Sequence, residues 1–323
     1  MPTATAYLYD ARGKDLTLEV ADIDVGRIGD HQLLWVHLQQ RDADAIRTLA
    51  GQLSLNDVPV ADLLNTAERP KIERFGDFYR LFIISAMVDD EGKLERMPID
   101  FLVGRNVIVT ISDGPVGYFD ELLQRDRGET TIGALDAEGF LTTLLDLHIV
   151  SYFRAIESVE SAVDQVDKRV LLRDLDERDF LKDMVRLRSH VSRLRRWFLP
   201  HRDIFYALAR PDFLPLEDTD RRNFQLLNQH FENVVDMMSS ARDSVFGLFD
   251  LYTTRASHRM NSAMRRLTFV ALITGASSVL AGAMGMNFKQ SFFDSPDGFW
   301  FAVLGMVLIA VGLTFIARWR RWI

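Results

Sequence analysis

The chain is organised around residues 221–287, where the spacing of apolar and polar residues predicts one very long helix. One face, followed in alternating steps of four and three residues, is small or polar except at Met264. This polar stripe consists of Gln229, Asn233, Asp236, Ser240, Asp243, Gly247, Asp250, Thr254, Ser257, Asn261, Met264, Thr268, Ala271, Gly275, Ser278, Gly282 and Gly285. An apolar stripe at the same spacing consists of Phe224, Leu227, Phe231, Val234, Met238, Ala241, Val245, Leu248 and Tyr252. Because a repeat of about 3.5 residues keeps one helix face toward a partner, the first half of this helix is predicted to be soluble and bundled.

Two uncharged segments near the C-terminal end predict membrane spans. No charge lies between Arg266 and Lys289, and none lies between Asp297 and Arg318. Each segment has about the ~20 residues that a helix needs to cross a bilayer. A pair of buried core helices is the weaker alternative, because only the basic and aromatic sequence 318–323 follows them. Such an end is typical of a membrane interface.

Flanking charges predict how the two spans are oriented. Arginines 255, 259, 265 and 266 precede the first span, and arginines 318, 320 and 321 follow the second. The loop between the spans has a single lysine against two aspartates. By the positive-inside rule, both termini then lie in the cytoplasm and the loop lies outside. We expect a multi-pass protein of the cell (inner) membrane with its large N-terminal part in the cytoplasm.

The segment before the long helix is predicted to form an α/β domain followed by a helical hairpin. Strands are predicted at 6–9, 16–20, 33–38, 78–88, 94–103 and 106–111, with helices at 42–55 and 58–64. Two further helices follow, the second at 180–205. The predicted domains are 1–125 (cytoplasmic α/β), 126–217 (cytoplasmic helical hairpin), 218–266 (stalk), 267–287 (pore-lining span), 288–297 (external loop), 298–317 (second span) and 318–323 (basic cytoplasmic tail).

The polar stripe continues from the stalk into the first span, which indicates a pore. Two spans cannot enclose a channel, and polar groups that face lipid are costly, so several copies are needed around an axis. Helix packing through small residues is the alternative, and the small residues here are Ala271, Gly275, Ser278 and Gly282. Asp236, Asp243 and Asp250 favour the pore. Carboxylates on a packing seam repel one another, whereas carboxylate rings around water attract cations.

The composition and the absence of certain motifs argue against several other classes of function. The net charge of −8 argues against nucleic acid as a partner, and the absence of cysteine excludes disulfides and thiolate metal sites. There is no phosphate-binding glycine loop and no Gly-x-Ser-x-Gly sequence. We therefore expect a protein that is not an enzyme and has no catalytic cofactor. His148 is predicted to be a hydrogen-bonded core residue, and His258 lies beside the polar stripe among arginines.

The segment from Asp250 to Phe288 resembles the CorA family of divalent-cation transporters. The resemblance is carried by Asp250-Leu251-Tyr252, Ser257, Asn261, Met264, Leu267-Thr268, Ala281-Gly282 and the Gly285-Met286-Asn287-Phe288 signature. Arg69-Pro70-Lys71-Ile72-Glu73 is similar to a sequence in the cytoplasmic domain of that family, and the overall layout covers the whole chain. The resemblance implies a homopentameric funnel of α/β domains, stalk helices and two membrane helices per chain.

The resemblance also implies roles for particular residues. The signature Gly285, Met286 and Asn287 would form the external mouth, with Asn287 binding a hydrated cation through its waters. Asn261 would form a polar ring at the cytoplasmic membrane level, and Met264 with Leu267 a hydrophobic constriction. Thr268, Ala271, Gly275, Ser278 and Gly282 would line the pore further out. Asp236, Asp243 and Asp250 would form stalk carboxylate rings, with Asp250 near the metal, and Arg318, Arg320 and Arg321 a basic collar.

Departures from the family pattern leave the transported cation open. Met284 stands where an aromatic residue is usual, Ala276 replaces a frequent proline, and Gly275 replaces a bulky apolar residue. The external loop also lacks the short acidic sequence of the classical magnesium members. We expect transport of Mg²⁺, together with Co²⁺ or Ni²⁺, and the alternative is proton-coupled transport of Zn²⁺ as in the ZntB-type branch. A membrane scaffold or signalling protein that does not conduct is the further alternative.

Overall fold

The computed structural model describes residues 4–55, 58–89, 92–125, 132, 135–172, 176–210, 218–286 and 296–319. The chain divides into two compact units, Met1–Gly247 and Leu248–Ile323. The first unit contains a mixed sheet with helices on both faces and the beginning of the long helix. The second contains the remainder of that helix and one further helix. The predicted fold class, an N-terminal α/β domain followed by a long helix and two apolar C-terminal helices, is confirmed.

The sheet consists of strands that lie in the order β2-β1-β3-β7-β6-β5-β4. The strands are β1 (Ala4–Asp10), β2 (Leu16–Leu18), β3 (Gln32–Leu38), β4 (Lys71–Phe75), β5 (Phe78–Val88), β6 (Leu94–Gly104) and β7 (Val107–Ser112). Only the central pair β3 and β7 is parallel, and all other neighbours are antiparallel. The predicted two-residue connection Arg105-Asn106 joins β6 to β7. Between β4 and β5, Gly76 has a φ of 55°, a conformation that glycine adopts readily.

The helices are α1 (Ala43–Gln52), α2 (Val60–Leu64), α3 (Gly117–Arg125), α4 (Ala137–Leu172), α5 (Glu177–Phe198), α6 (Arg202–Ala209), α7 (Asp218–Met284) and α8 (Pro296–Trp319). Asp42 caps α1 because its side chain accepts a hydrogen bond from the backbone N–H of Asp44 at 2.9 Å. Asp136 similarly accepts from the N–H of Gly139 at 2.7 Å in the first turn of α4. These caps satisfy backbone donors that have no partner within the helix.

Each face of the sheet has its own core. On one face, α1 and α2 pack through Ile46, Leu49 and Leu63 against Val36 and Val109 of the central strands. On the other face, Trp35 is fully buried, with its ring 5.4 Å from Phe119 of α3 and 5.3 Å from Phe140 of α4. The aromatic side chains on this second face attach the long helix α4 to the sheet.

A buried polar chain crosses the second face. Ser85 Oγ lies 2.8 Å from Tyr118 Oη and 2.8 Å from His148 Nδ1, which confirms the prediction that His148 is a hydrogen-bonded core residue. His201 Nε2 accepts from the N–H of Ile84 at 3.0 Å, so its Nδ1–H donates to the carbonyl of Phe198 at 2.9 Å. Burial lowers the pKa of His201 to about 4 and also lowers the pKa of His148. Both rings are therefore neutral at pH 7.

A buried ion-pair network connects the sheet to the loops around α1 and α2. The carboxylate of Asp100 is fully buried and accepts from Arg80 Nε at 2.6 Å and from Arg41 Nη1 at 2.6 Å. Arg41 also donates to the carbonyl of Leu63 at 2.7 Å and to Asp113 at 2.6 Å. Since the two guanidinium groups come from different elements, Asp100 fixes the position of both.

Several element predictions differ from the structure; the helix predicted at 42–55, for example, ends at Gln52. The helix α3 was absent from the predicted set, because it is short and follows a segment rich in glycine and proline. The helix predicted at 180–205 ends at Phe198, and Leu199–His201 form a 3-10 turn before α6. Pro200 lies in this turn, and proline cannot donate the helical hydrogen bond and clashes with the preceding turn. The strand predicted at 16–20 ends at Leu18, and Val20–Asp22 form a 3-10 turn.

Candidate pore-lining helix

In the first unit, the apolar stripe of α7 is buried against the helices around it. Its members there, Phe224, Leu227, Phe231, Val234, Met238, Ala241 and Val245, are each 3% exposed or less. The ring of Phe231 lies 4.6 Å from Phe198 and 4.8 Å from Phe205. The prediction that this part of α7 belongs to a bundle is confirmed.

Two polar contacts fix α7 along the same side of the first unit. Arg202 of α6 donates from Nε and Nη2 to the carboxylate oxygens of Glu232 at 3.0 and 2.8 Å. His230 Nδ1 lies 3.0 Å from an oxygen of Asp146 on α4. The Arg202–Glu232 pair is bidentate and adds geometric specificity, so the rotation of α7 about its own axis is set by the apolar contacts together with these polar ones.

The polar stripe, in contrast, is solvent-exposed at every described position. In the first unit these positions are Gln229, Asn233, Asp236, Ser240, Asp243 and Gly247. In the second unit they are Asp250, Thr254, Ser257, Asn261, Met264, Thr268, Ala271, Gly275, Ser278, Gly282 and Gly285. From Phe224 to Leu248 the chain therefore buries the apolar stripe of α7, and it leaves the polar stripe, including all the described pore-lining candidates, on its surface.

The three stalk carboxylates differ in their surroundings. Asp243 accepts from Nε and Nη2 of the adjacent Arg242 at 3.1 and 2.9 Å, and both side chains are largely exposed. Neither Asp236 nor Asp250 forms an ion pair with the described part of the chain. Part of the negative charge at Asp243 is thus compensated locally, whereas Asp236 and Asp250 keep theirs.

Among the described residues, two helices are long and apolar enough to cross a membrane, within Thr219–Met284 and Phe299–Trp319. None of the most apolar part of either helix is buried among the described residues, which argues against the alternative of two core helices. Large side chains such as Val279, Phe315 and Trp319 are 75%, 72% and 78% exposed.

The two helices contact each other where a Cβ added to Gly305 would lie 3.5 Å from Leu280 Cδ2. A small residue at this position allows close helix packing.

The first apolar helix ends just before the predicted external mouth. The N–H of Gly285 donates to the carbonyl of Ala281 at 2.9 Å, and the N–H of Met286 donates to that of Ala283 at 3.3 Å. Asn287, the residue predicted to bind the hydrated cation, lies outside the described residues, as do Arg320 and Arg321 of the predicted collar. Arg318 lies in the last turn of α8.

The structure adds Arg265 to the residues on the predicted pore side. His258, Asn261, Met264, Arg265 and Thr268 together line one concave surface of α7. In the sequence, Arg265 is one of the flanking charges that orient the span. The spacing itself could have identified it, because Arg265 and His258 are one heptad apart and each directly follows a member of the polar stripe.

Comparison with known proteins gives the family of the chain. The family model of CorA-like Mg²⁺ transporter proteins matches residues 30–318. The chain belongs to this family. It is a family of transporters rather than of enzymes, and membership makes the chain a divalent cation transporter of the CorA type. The resemblance inferred from the Gly-Met-Asn signature is confirmed.

Individual relatives include proteins named for different metals. The cobalt/magnesium transport protein CorA of Thermotoga maritima is 24% identical over 291 residues, which cover 87% of this chain and 80% of that protein. The zinc transport protein ZntB of Yersinia enterocolitica is 22% identical over 320 residues, or 98% of this chain and 95% of that protein. The CorA magnesium transporter structure from Methanocaldococcus jannaschii has a TM-score of 0.75 and 22% identity, with 100% of both chains covered. The last comparison establishes the fold.

Proposed function

We propose that copies of this chain assemble as a homopentamer in the inner membrane and conduct divalent cations along an axis lined by the polar stripe of α7. The observation that carries this proposal is the division of α7 between a buried apolar stripe and a fully exposed polar stripe. The number of subunits follows from the family resemblance. Both termini lie in the cytoplasm, as the arginines at the inner ends of both spans require.

Assembly around an axis gives the exposed polar stripe a suitable environment. In a single chain within a bilayer, Asn261 and Ser278 would face hydrocarbon, where polar groups are costly. In a ring they face water, and the small residues between them leave room for a hydrated ion. Asp236 and Asp250, which have no ion-pair partner in the described residues, then raise the local cation concentration in the stalk.

The polar rings suit a cation that keeps its waters. Mg²⁺ dehydrates reluctantly and is usually bound with several waters in place. Rings of amides at Asn261 and Asn287 can hydrogen-bond those waters without forming a tight ionic site, so the ion can also leave. Met264 and Leu267, which are 56% and 64% exposed in the single chain, form an apolar ring that closes the path by dewetting.

The transported ion of this proposal is Mg²⁺, with Co²⁺ and Ni²⁺ as further substrates. The second candidate, proton-coupled Zn²⁺ transport, is favoured by the similarity to ZntB over 98% of the chain. In both cases transport follows the electrochemical gradient, to which an inside-negative potential contributes about 2.3 kcal/mol per charge per 100 mV.

Uptake into liposomes tests the role of the external mouth. The variant Asn287→Ala should abolish divalent uptake and leave the assembly intact, and Gln290→Ala in the same predicted loop serves as the control. Normal uptake by Asn287→Ala would refute the role of this ring. Measurements with Mg²⁺ and Zn²⁺, with and without a pH gradient, separate the channel from the proton-coupled carrier. A pentamer without flux of any cation would favour the scaffold.

A further inference from the structure

Acidic side chains from the ends of two helices lie around a buried tyrosine of the sheet. Asp136 precedes α4 and Glu138 lies in its first turn, while Asp220 lies in the first turn of α7. Asp220 is only 7% exposed, and Tyr79 of β5 only 5%. Burial raises the pKa of Tyr79, and the charges of these three carboxylates raise it further, so all three lie close to its hydroxyl. The start of the long helix thus lies beside carboxylates of α4.

The hydroxyl of Tyr79 lacks a hydrogen bond within this cluster of Tyr79, Asp136, Glu138 and Asp220. Its Oη is buried and has no hydrogen-bond partner among the described residues. A buried polar group without a partner is costly. The polar groups around this hydroxyl are carboxyls, and a phenol can donate to a carboxyl oxygen or accept from a protonated carboxyl. A carboxyl that takes up a proton here therefore has an acceptor close by.

Glu138 is the member of the cluster that can hold this proton near neutral pH. Its side chain is partly buried, and burial is the main cause that raises its pKa to about 7. The charges of Asp136 and Asp220 also raise the pKa of Glu138, whereas a hydrogen bond from its own backbone N–H acts in the opposite direction. Asp136, in contrast, is exposed and accepts from the N–H of Gly139 at 2.7 Å.

The neighbouring cations do not offset the acidic charges at Glu138. Arg74 of β4 lies opposite Tyr79 in the sheet and is exposed. Arg221 follows Asp220 on α7 and is partly buried. Neither arginine is among the groups that shift the pKa of Glu138. A negative charge on Glu138 therefore adds to the charge of Asp220 where α4 and α7 meet.

We propose that Glu138 is a proton-operated contact that makes the docking of the start of α7, and through it transport, depend on pH. The neutral carboxyl has Tyr79 Oη as a hydrogen-bond partner and does not repel Asp220, so the first turns of α7 stay docked beside α4. The ionised carboxyl repels Asp220, and these turns open more often. The contact itself is independent of the proposed function, whereas its effect on transport rests on it, because α7 is the proposed pore-lining helix.

Rising pH should open this contact. The pKa of Glu138 is about 7 in the docked form, and we expect its ordinary value of 4.5 once the start of α7 opens and exposes it to water. Between these two values the docked form holds a proton that the open form has lost, so a higher pH favours opening. The open population should therefore rise about tenfold from pH 6 to pH 8. His201 has the opposite effect, because its lowered pKa destabilises the fold in acid.

Hydrogen exchange at the start of α7 tests the contact. Exchange of the backbone amides of residues 222–230 would be measured in the detergent-solubilised full chain at pH 6 and pH 8, and corrected for the intrinsic pH dependence of amide exchange. Wild type should lose about tenfold in protection from pH 6 to pH 8. Glu138→Gln keeps the shape of the side chain without its charge, so its protection should change by less than about twofold. The control Glu157→Gln, at an exposed acid of the same helix, should behave like wild type.

Three results would overturn the inference. Wild-type protection could be the same at pH 6 and pH 8, the change could persist in Glu138→Gln, or it could be lost in Glu157→Gln. Should Glu138→Gln fail to fold, Asp220→Asn provides a second test. It removes a charge that raises the pKa of Glu138, so the pH at which wild type loses protection should move to a lower value, and an unchanged midpoint overturns the inference.

Uptake of Mg²⁺ by liposomes distinguishes failure of the proposed function. Wild-type uptake should differ between pH 6 and pH 8 in the solution around the N-terminal domain, and uptake by Glu138→Gln should not. If neither protein takes up any cation while exchange depends on Glu138 as expected, the pore is refuted and the contact stands. If both proteins take up Mg²⁺ equally well at both pH values, the pore stands and the regulation of transport by Glu138 is refuted.

Discussion

The ring of Phe231 on α7 lies 4.6 Å from the ring of Phe198, the last residue of α5. Both side chains are fully buried. The contact joins the long helix to the helical hairpin and turns the apolar stripe of α7 toward its own chain. The opposite, polar stripe is left for other copies of the chain, so this one aromatic pair helps to decide which residues can face a common axis.

Removing this ring should destabilise the first unit. We expect Phe231→Ala to lower the free energy of unfolding by about 3–5 kcal/mol, because it leaves a cavity between Phe198 and Phe205. Leu226→Ala, at a position that is 48% exposed, should cost much less. Thermal unfolding of the detergent-solubilised full chain measures both. Equal shifts for the two variants would mean that Phe231 does not anchor α7.

Acidification should destabilise the fold through His201. Its pKa is lowered by burial to about 4 from an ordinary value of 6.5, so only the unfolded chain gains a proton as the pH falls below 6.5. The loss of stability begins near pH 6.5, reaches about 2 kcal/mol at pH 5, and is complete below pH 4. Above pH 6.5 both states are neutral, and this histidine contributes no pH dependence.

His201→Gln tests that assignment. Glutamine has a neutral acceptor for the N–H of Ile84 and does not titrate, so the variant should lose less stability than wild type between pH 7 and pH 4.5. His148 and His37, whose pKa values burial also lowers, keep the remaining dependence. Parallel stability curves for wild type and His201→Gln would contradict the assignment.

The buried carboxylate of Asp100 should contribute far more to the stability of the fold than an exposed carboxylate does. Asp100→Ala leaves the guanidinium groups of Arg80 and Arg41 without their central partner, and we expect a loss of about 3–5 kcal/mol. Asp30→Ala is the control, because Asp30 pairs with Arg105 at 3.3 Å while both side chains are more than 80% exposed. Exposed pairs contribute about 0–1 kcal/mol. Similar losses of stability in the two variants would show that the network around Asp100 is not structural.

Much of the fold could be predicted because apolar residues recur at regular spacings in many of the helices and strands. The strand β5 was predicted with its observed ends, Phe78 and Val88, since nearly every residue in it is β-branched, aromatic or otherwise apolar. The 3.5-residue repeat predicted α7, and burial of Phe224 through Val245 confirms its apolar side. The spacing of apolar residues shows which face of a helix or strand is buried, even when the element that packs against it is unknown.

Other features depend on contacts between distant residues, which no local pattern records. Asp100 joins Arg80 and Arg41 from three separate segments, and nothing in the sequence around it marks a buried charge. Arg265 is a different case, because its position beside the stripe follows from the heptad. The roles of the pore-lining residues remain predictions that flux measurements must test.

Cysteine accessibility is the most direct test of the axis. The chain contains no cysteine, so any labelling reports on the introduced residue alone. Ser278→Cys, on the polar stripe, should react with a charged thiol reagent that cannot enter lipid, and the reaction should block cation uptake in liposomes. Val270→Cys is the control, since Val270 lies on the same helix away from the stripe and should face lipid or other helices. If Val270→Cys reacts and blocks uptake while Ser278→Cys does neither, α7 does not turn its polar stripe toward a water-filled axis.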